Sequence, residues 1–191
     1  MVWWFKFILV VHLIGVLLLA AAMAVHTAAA LLMRQAGDPA DVRHALSLAR
    51  WAPRIFAPST VLILLSGIYL SIVLVMRGAG YGWIIVSLIA VIALAWWGKR
   101  EGQRRGMKVG RLLADSGDTL SPALCSELQW PGAMVHIVLD VLVVAAIVAL
   151  MVYQPEAWVS VAIMIIALLA ALAARAYITK PVGTAATADE A

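Results

Sequence analysis

The fold is decided by an apolar stretch near the N-terminus, FKFILVVHLIGVLLLAAAMAVHTAAALLM, which occupies residues 5–33. A helix needs about 20 predominantly apolar residues to cross the hydrocarbon core of a bilayer, and this stretch exceeds that length. It is also much longer than the apolar region of about 7–15 residues in a secretory signal peptide. The stretch therefore predicts a transmembrane helix.

Four further apolar stretches follow, at residues 55–76, 81–97, 134–153 and 157–178. Only helices satisfy every backbone polar group within one segment in lipid, so each stretch predicts a helix. Composition agrees, since 65% of the residues are hydrophobic and 13% are charged, whereas a soluble domain is about half apolar and a quarter charged. The sequence predicts an all-α, polytopic bundle of five spans in one domain, residues 1–180, followed by a disordered cytoplasmic tail, residues 181–191.

The basic residues are distributed unequally between the loops and predict the orientation. Of the 14 lysines and arginines, all but Lys6 and Arg77 fall on one side of the predicted bundle. The positive-inside rule then places the N-terminus outside and the C-terminus in the cytoplasm, as in a multi-pass protein of a bacterial inner membrane. All eight tryptophans fall at predicted span ends, where amphipathic rings are enriched.

Two loop segments on the basic side carry signals for short helices. Asp38-Pro39-Ala40-Asp41 combines an N-cap, a proline at the first helical position and an acid in the first turn. The apolar stripe that follows predicts a short helix lying on the membrane. Ser121-Pro122 predicts the start of a second short helix.

Ionisable side chains inside the spans are the candidate functional residues. An ionisable residue at the centre of a transmembrane helix costs roughly 2.5–3.5 kcal/mol on insertion scales, so each is a functional hypothesis. They are His12 and His26 in the first span, and His136 and Asp140 in the fourth. Two histidines fourteen residues apart, such as His12 and His26, share a helix face to within about 40°. This spacing is typical of membrane b-type cytochromes.

Depth in the membrane predicts which histidines can meet. His26 and His136 lie at similar depths near the basic side, so they face each other if their helices are neighbours. Two imidazoles on facing helices could bind haem b or a copper ion, with Asp140 as a second-shell acceptor or a proton relay. His12 finds no second histidine at its own depth.

Two other classes of function stay open beside the cofactor hypothesis. In the first, the polar residues form a structural network with hydroxyls on neighbouring helices, and the protein is an accessory bundle that contacts lipid, a membrane partner or a second copy of itself. The available hydroxyls belong to Ser59, Thr60, Ser66, Tyr69 and Ser87. In the second, Asp140 belongs to a pathway for protons or a small solute.

Several other functions are excluded or disfavoured. The single cysteine, Cys125, rules out an internal disulfide. Phosphate-binding loops and hydrolase motifs do not occur in the sequence, which favours a protein that is not an enzyme and leaves any catalytic residue unknown. The basic residues lie between apolar spans rather than on a nucleic-acid footprint, so no nucleic-acid partner is expected.

Short motifs in three of the spans resemble a family of bacterial integral membrane proteins, domain of unknown function 2269. The motifs are Phe5-Lys6-Phe7 with Val11-His12-Leu13-Ile14-Gly15, Pro58-Ser59-Thr60-Val61 with Ser66-Gly67-Ile68-Tyr69-Leu70, and Met151-Val152-Tyr153-Gln154-Pro155. The resemblance covers roughly residues 1–155, so the fifth span is an addition, and it implies no particular activity.

The first-span motif is also similar, more distantly, to two other groups. These are the copper-resistance D type of membrane protein and the bacterial membrane protoporphyrinogen oxidase, which is associated with haem. Only His12 matches the first-helix histidine of those groups. Their common Trp-x-x-Gly is replaced here by Leu18-Leu19-Ala20-Ala21. The similarity implies a copper or haem site at His12, in contrast to the site at His26 and His136.

Overall fold

The computed structural model describes residues 2–178, apart from the side chain of Val2, and this part of the chain contains helices but no strands. The helices are α1 (Val2–Gln35), α2 (Pro39–Ala49), α3 (Trp51–Met76), α4 (Gly82–Ala114), α5 (Pro122–Leu128), α6 (Gly132–Tyr153) and α7 (Ala157–Ile178). The predicted tail, residues 181–191, lies outside the described residues.

The prediction of five membrane-spanning helices is confirmed. Within residues 2–178, five helical segments, which contain α1, α3, α4, α6 and α7, are long and apolar enough to cross a bilayer. Four of these helices begin and end within four residues of the predicted spans. The exception is α4, which continues from the predicted end at Trp97 to Ala114. Lysine and arginine lower the hydropathy after Trp97, but both are good helix formers, so the helix does not end where the apolar run ends.

Both predicted short helices are present and capped as their sequences indicate. The Asp38 carboxylate accepts hydrogen bonds from the backbone N–H groups of Ala40 and Asp41, at 2.7 and 2.8 Å. The Ser121 hydroxyl accepts one from the backbone N–H of Leu124, at 3.2 Å. Each cap satisfies donors that a helix N-terminus would leave without partners, which fixes where α2 and α5 begin.

The apolar face of α2 packs on other helices. Val42 is buried in a cluster with Val109 and Leu113 of α4 and Leu124 and Leu128 of α5. Met33 and Ala36, from the end of α1 and just beyond it, pack against the same cluster. The C-terminal ends of α1 and α4 therefore lie together, and we call this the basic end of the bundle. At the opposite end, the Arg77 guanidinium lies 5.1 Å from the centre of the Phe5 ring.

The spanning helices fall into two groups that are only loosely joined. In one group α1 packs along α3, and in the other α6 packs along α7 with α4 against both. α3 and α4 are consecutive in the chain, yet their backbones barely approach each other. We call the interface between α1 and α3 on one side and α4 and α6 on the other the seam.

Seven of the eight tryptophans are exposed, as expected for interfacial rings, but Trp83 is not. Its side chain is only 4% exposed and lines a crevice between α3 and α4. Trp83 is the second residue of α4 and so lies at a span end as predicted, but its indole is enclosed between α3 and α4 rather than exposed.

Candidate functional site

His12 is enclosed between α1 and α3 and is 7% exposed. Its Nδ1 lies 3.0 Å from the Ser66 hydroxyl oxygen. That hydroxyl donates its own proton to the Leu62 carbonyl one turn earlier, so its oxygen is left to accept from Nδ1–H of His12. The partner is one of the five hydroxyls that the structural hypothesis names. His12 is therefore a hydrogen-bonded imidazole in a tight interface.

Two glycines make this interface tight. A Cβ atom at Gly67 would lie 3.3 Å from Cε1 of His12, and one at Gly15 would lie 2.9 Å from Cγ1 of Ile63. Both distances are shorter than ordinary contacts between carbon atoms, which are about 3.5–4.0 Å. The small side chains at these positions therefore let α1 and α3 approach closely, as small residues do in membrane helix pairs.

His26 does not share the environment of His12, although both lie on α1. His12, Gly15, Ala22 and Ala29 are buried, whereas His26 is exposed at the edge of that face. It lines a narrow pocket in the seam whose free volume is about 10 Å³. The other lining residues are Met23, Thr27, Phe56, Ile137 and Asp140. The 40° offset between the two histidines is enough to turn one towards α3 and the other towards the seam.

His136 turns towards α4. The indole N–H of Trp97 donates to Nε2 of His136 at 3.4 Å, and the two ring centres are 6.0 Å apart. Since Nε2 accepts, the neutral ring carries its proton on Nδ1. His26 shares its pocket with Asp140 and with Ile137, the residue that follows His136. The structure thus brings His26, His136 and Asp140 into one region of the seam, with Asp140 rather than His136 in the pocket of His26.

Three buried side-chain atoms in residues 2–178 have no hydrogen-bond partner: Nε1 of Trp83, Oγ of Ser87 and Oδ1 of Asp140. Trp83 and Ser87 line the crevice of about 70 Å³ between α3 and α4. Asp140 lines the pocket of His26. All three atoms therefore lie on the seam, and none of them lies in the packed α1–α3 interface.

The comparisons with known proteins place the chain in a family. A family model described as a predicted integral membrane protein, DUF2269, matches residues 6–155. The chain belongs to the DUF2269 family. No curated protein and no solved structure matches it. This match confirms the resemblance that the motifs in three of the spans indicate. It identifies a multi-pass integral membrane protein. The match ends just after α6, so α7 of this DUF2269 protein lies beyond the matched region.

The pocket at the predicted haem position in this DUF2269 protein is narrow. Pockets that enclose ligands of drug size measure about 300–1,000 Å³, whereas the pocket beside His26 has about 10 Å³ of free volume. Within residues 2–178, no group of three His, Cys, Asp or Glu side chains is placed to hold a metal ion. Nδ1 of His12 is engaged with Ser66. The haem and copper hypotheses therefore gain no support from this geometry.

Sequence reasoning did not single out Trp83 and Ser87 as site residues. Trp83 was expected at the membrane interface, and Ser87 was expected as a partner for a buried histidine or aspartate. Their spacing of four residues on α4 puts both on the face that lines the crevice. That spacing was a visible signal, but its meaning depends on which helix face lies opposite. Only the three-dimensional packing supplies that information.

Proposed function

We propose that this DUF2269 protein moves protons across the membrane along the seam, with Asp140 as the group that takes up and releases the proton. The observation that carries the proposal is the position of the three buried atoms that have no partner within residues 2–178. They line the crevice between α3 and α4 and the pocket of His26. Buried polar atoms that lack a protein partner are usually satisfied by water. Water in a membrane-spanning interface is what a proton pathway requires.

The residues along the seam have chemically distinct roles in this proposal. Trp83 and Ser87 hold water in the crevice at the end opposite the basic residues. The Asp140 carboxyl, set among apolar side chains of α1, α3 and α6, exchanges the proton with that water. His26 and His136 carry the proton between Asp140 and the basic end, since an imidazole accepts and donates protons near neutral pH. Intramembrane aspartates and histidines serve such relays in pumps and transporters.

Proton flux into vesicles tests the proposal. The full chain is reconstituted into vesicles that contain a pH-sensitive dye, and a potassium diffusion potential drives the protons. We expect flux above that of protein-free vesicles. In Asp140→Asn the flux is expected to fall by about a hundredfold or more, the magnitude typical for loss of an acid–base group. The amide has nearly the same shape but cannot carry the proton, so the change isolates the chemistry.

A buried serine outside the seam provides the control for this experiment. Ser160 of α7 is fully buried, and its hydroxyl donates to the Glu156 carbonyl at 3.0 Å. Ser160→Ala should therefore leave the flux unchanged. Flux in the wild-type protein equal to that of empty vesicles would refute the proposal. Flux that survives in Asp140→Asn would refute the role of the carboxyl.

An absorption spectrum separates proton movement from the cofactor hypothesis. Protein purified from haem-replete cells is expected to show no Soret band and to contain no stoichiometric copper. A Soret band that disappears in His26→Ala or His136→Ala would instead assign those two residues to a haem. The same comparison with His12→Ala tests the site that the similarity to the copper-resistance and oxidase groups implies.

We also propose that the protein lies in a bacterial inner membrane with its basic end in the cytoplasm. Support comes from the unequal distribution of the 14 basic residues, of which only Lys6 and Arg77 belong to the opposite end. Cys125, the single cysteine, lies on α5 at the basic end. A membrane-impermeant maleimide should label it only after the cells are permeabilised. A partner protein or homo-oligomer remains a prediction, tested by the mass of the solubilised particle.

In the same assay, Ala79→Cys in a Cys125→Ser background provides the opposite control. Ala79 follows α3 at the end away from the basic residues. It should be labelled in intact cells. Labelling of Cys125, but not of the cysteine at position 79, in intact cells would reverse the proposed orientation.

A further inference from the structure

The basic end of the seam contains a half-buried arginine that forms no ion pair within residues 2–178. Arg105 lies on the part of α4 that continues beyond the apolar run, and its side chain is half-buried. One guanidinium nitrogen donates to the Glu127 carbonyl at 3.4 Å. The guanidinium carbon lies 5.4 Å from the centre of the Trp130 ring. These contacts hold the side chain beside the end of the seam that opens at the basic end of the bundle, which we call the mouth of the seam. Most of the five N–H donors of the guanidinium remain available.

A second arginine approaches from the other helix group. Arg34, at the end of α1, is exposed, and the preceding residue, Met33, packs against the cluster that contains Val109 of α4. The nearest acids to Arg105 are Glu127 and Glu101. Glu127 forms its ion pair with Lys108, at 2.5 Å. In the described part of the chain, neither Arg34 nor Arg105 is within ion-pair distance of a carboxylate. Two like charges are thus placed at the basic end of the seam, one from each helix group.

Tryptophan places these arginines at the depth of the lipid head groups. Trp97 and Trp130 are exposed and lie beside the same mouth, where Trp97 bonds to His136 and Trp130 stacks with Arg105. Tryptophan rings are enriched at the boundary between lipid tails and head groups. The arginine fork matches phosphate geometry bidentately. Basic pockets between transmembrane helices are known to bind the head groups of anionic lipids.

We infer that Arg34 and Arg105 bind the phosphate of an anionic phospholipid head group at the basic end of the seam. One arginine comes from each helix group, so the lipid would bridge α1 and α4 where the backbone contacts between the groups are sparse. The inference does not depend on proton movement, because lipid binding is measured without any flux. It goes beyond the proposed function, because it gives the protein a separate binding site for a lipid.

Lipid binding to the full-length protein in detergent tests the inference. Native mass spectrometry counts bound phosphatidylglycerol and bound phosphatidylcholine over a range of lipid concentrations. We expect phosphatidylglycerol to bind and phosphatidylcholine to bind much more weakly. Arg34→Gln and Arg105→Gln should each weaken phosphatidylglycerol binding about tenfold, as expected for loss of a hydrogen bond between charged groups. Arg34 is exposed, so Arg34→Gln tests the site even if Arg105→Gln fails to fold.

Arg111→Gln is the matched control, since Arg111 is an exposed arginine further along the same helix. It should weaken binding by less than about twofold, because isolated surface charges contribute little. An equal loss in Arg111→Gln would overturn the inference in favour of diffuse attraction to a basic surface. Equal binding of both lipids would overturn it as well. Inorganic phosphate that binds as tightly as the lipid would replace the lipid with a free anion as the ligand.

Discussion

The two histidines of α1 lie in opposite kinds of surroundings. His12 faces α3, is buried and bonds to Ser66. His26 is exposed at the edge of the seam, and its pocket contains a carboxylate oxygen without a partner. α1 thus has a closed face, which packs on α3 around His12, and an open face, which borders the seam at His26. The difference indicates that a polar residue in a membrane span has a structural role where its hydrogen bonds are satisfied, and is a candidate for function where they are not.

The closed face should be the more sensitive to added volume. In Gly15→Val the new Cβ would lie 2.9 Å from Cγ1 of Ile63 and 3.3 Å from its backbone nitrogen, so α1 and α3 must move apart. We expect the free energy of unfolding in detergent to fall by about 3 kcal/mol, at the upper end of typical overpacking costs. A denaturant titration measures it.

Gly106→Val is the control for this substitution. Gly106 also lies in a helix, but nothing is within 4 Å of the position that its Cβ would take. It should therefore show no loss from steric overlap. Equal stability of Gly15→Val and the wild type would mean that the α1–α3 interface is not tight.

The same contrast should separate the histidines themselves. His12→Ala removes a buried ring together with its interhelical hydrogen bond. We expect this variant to lose about 2 kcal/mol of unfolding free energy, within the usual range for buried positions. His26→Ala should change the stability by less than about 0.5 kcal/mol, as expected for an exposed side chain, while the proton flux decreases. A larger loss of stability in His26→Ala than in His12→Ala would reverse the assignment of the two faces.

The sequence was sufficient to predict the helices because their signals are local. An apolar run of about 20 residues, such as residues 5–33, determines a span without reference to any other segment. The caps at Asp38 and Ser121 act within one turn of their own helices. The length of α4 did not follow from its apolar run, because hydropathy predicts the membrane boundary, whereas helix formation continues through Lys and Arg as far as Ala114.

The seam could not be predicted in the same way, because it depends on which helices pack together. The sequence placed His26 and His136 at similar depths, and the structure brings them near each other. However, it turns His136 towards Trp97 and leaves Asp140 in the pocket of His26. A rotation of 40° on α1 decides between the α3 interface and the seam. Hydropathy and spacing do not determine helix rotation to that accuracy, so the ligand pair remains a prediction.

Asp140 should oppose stability while it supports function. A buried polar atom without a partner costs about 1–3 kcal/mol, and water bonded to it offsets only part of this cost. Oδ1 of Asp140 has no protein partner in the described residues. Asp140→Leu replaces the carboxyl with an apolar side chain that suits Met23, Phe56 and Ile137 around it. We expect the unfolding free energy to rise by about 1 kcal/mol, and proton flux to be lost in the same variant. A fall in stability would show that water bonded to the carboxyl stabilises the fold by more than the apolar contacts of the leucine do.

The smallest expected effect comes from two serines that differ only in their surroundings. Ser66 and Ser87 are 5% and 4% exposed, so burial is nearly the same. Ser66 accepts a hydrogen bond from His12 across the α1–α3 interface, whereas the Ser87 hydroxyl has no protein partner in the described residues. Interhelical hydrogen bonds in membrane proteins contribute about 0.6 kcal/mol on average. Ser66→Ala should lower the unfolding free energy by about that amount, and Ser87→Ala should not lower it.

Because both changes remove the same hydroxyl from a buried position, transfer and volume effects largely cancel between the two variants. The remaining difference in unfolding free energy compares two contributions. One is the hydrogen bond between Ser66 and His12, and the other is that of the Ser87 hydroxyl in the seam. Thermal unfolding of the two variants in the same detergent is sufficient to compare them. If Ser87→Ala is the less stable of the two, the water bonded to the Ser87 hydroxyl stabilises the fold by more than the hydrogen bond from His12 to Ser66 does. The seam would then be a hydrated structural interface, and the closed and open faces of the bundle would differ only in what satisfies their polar groups.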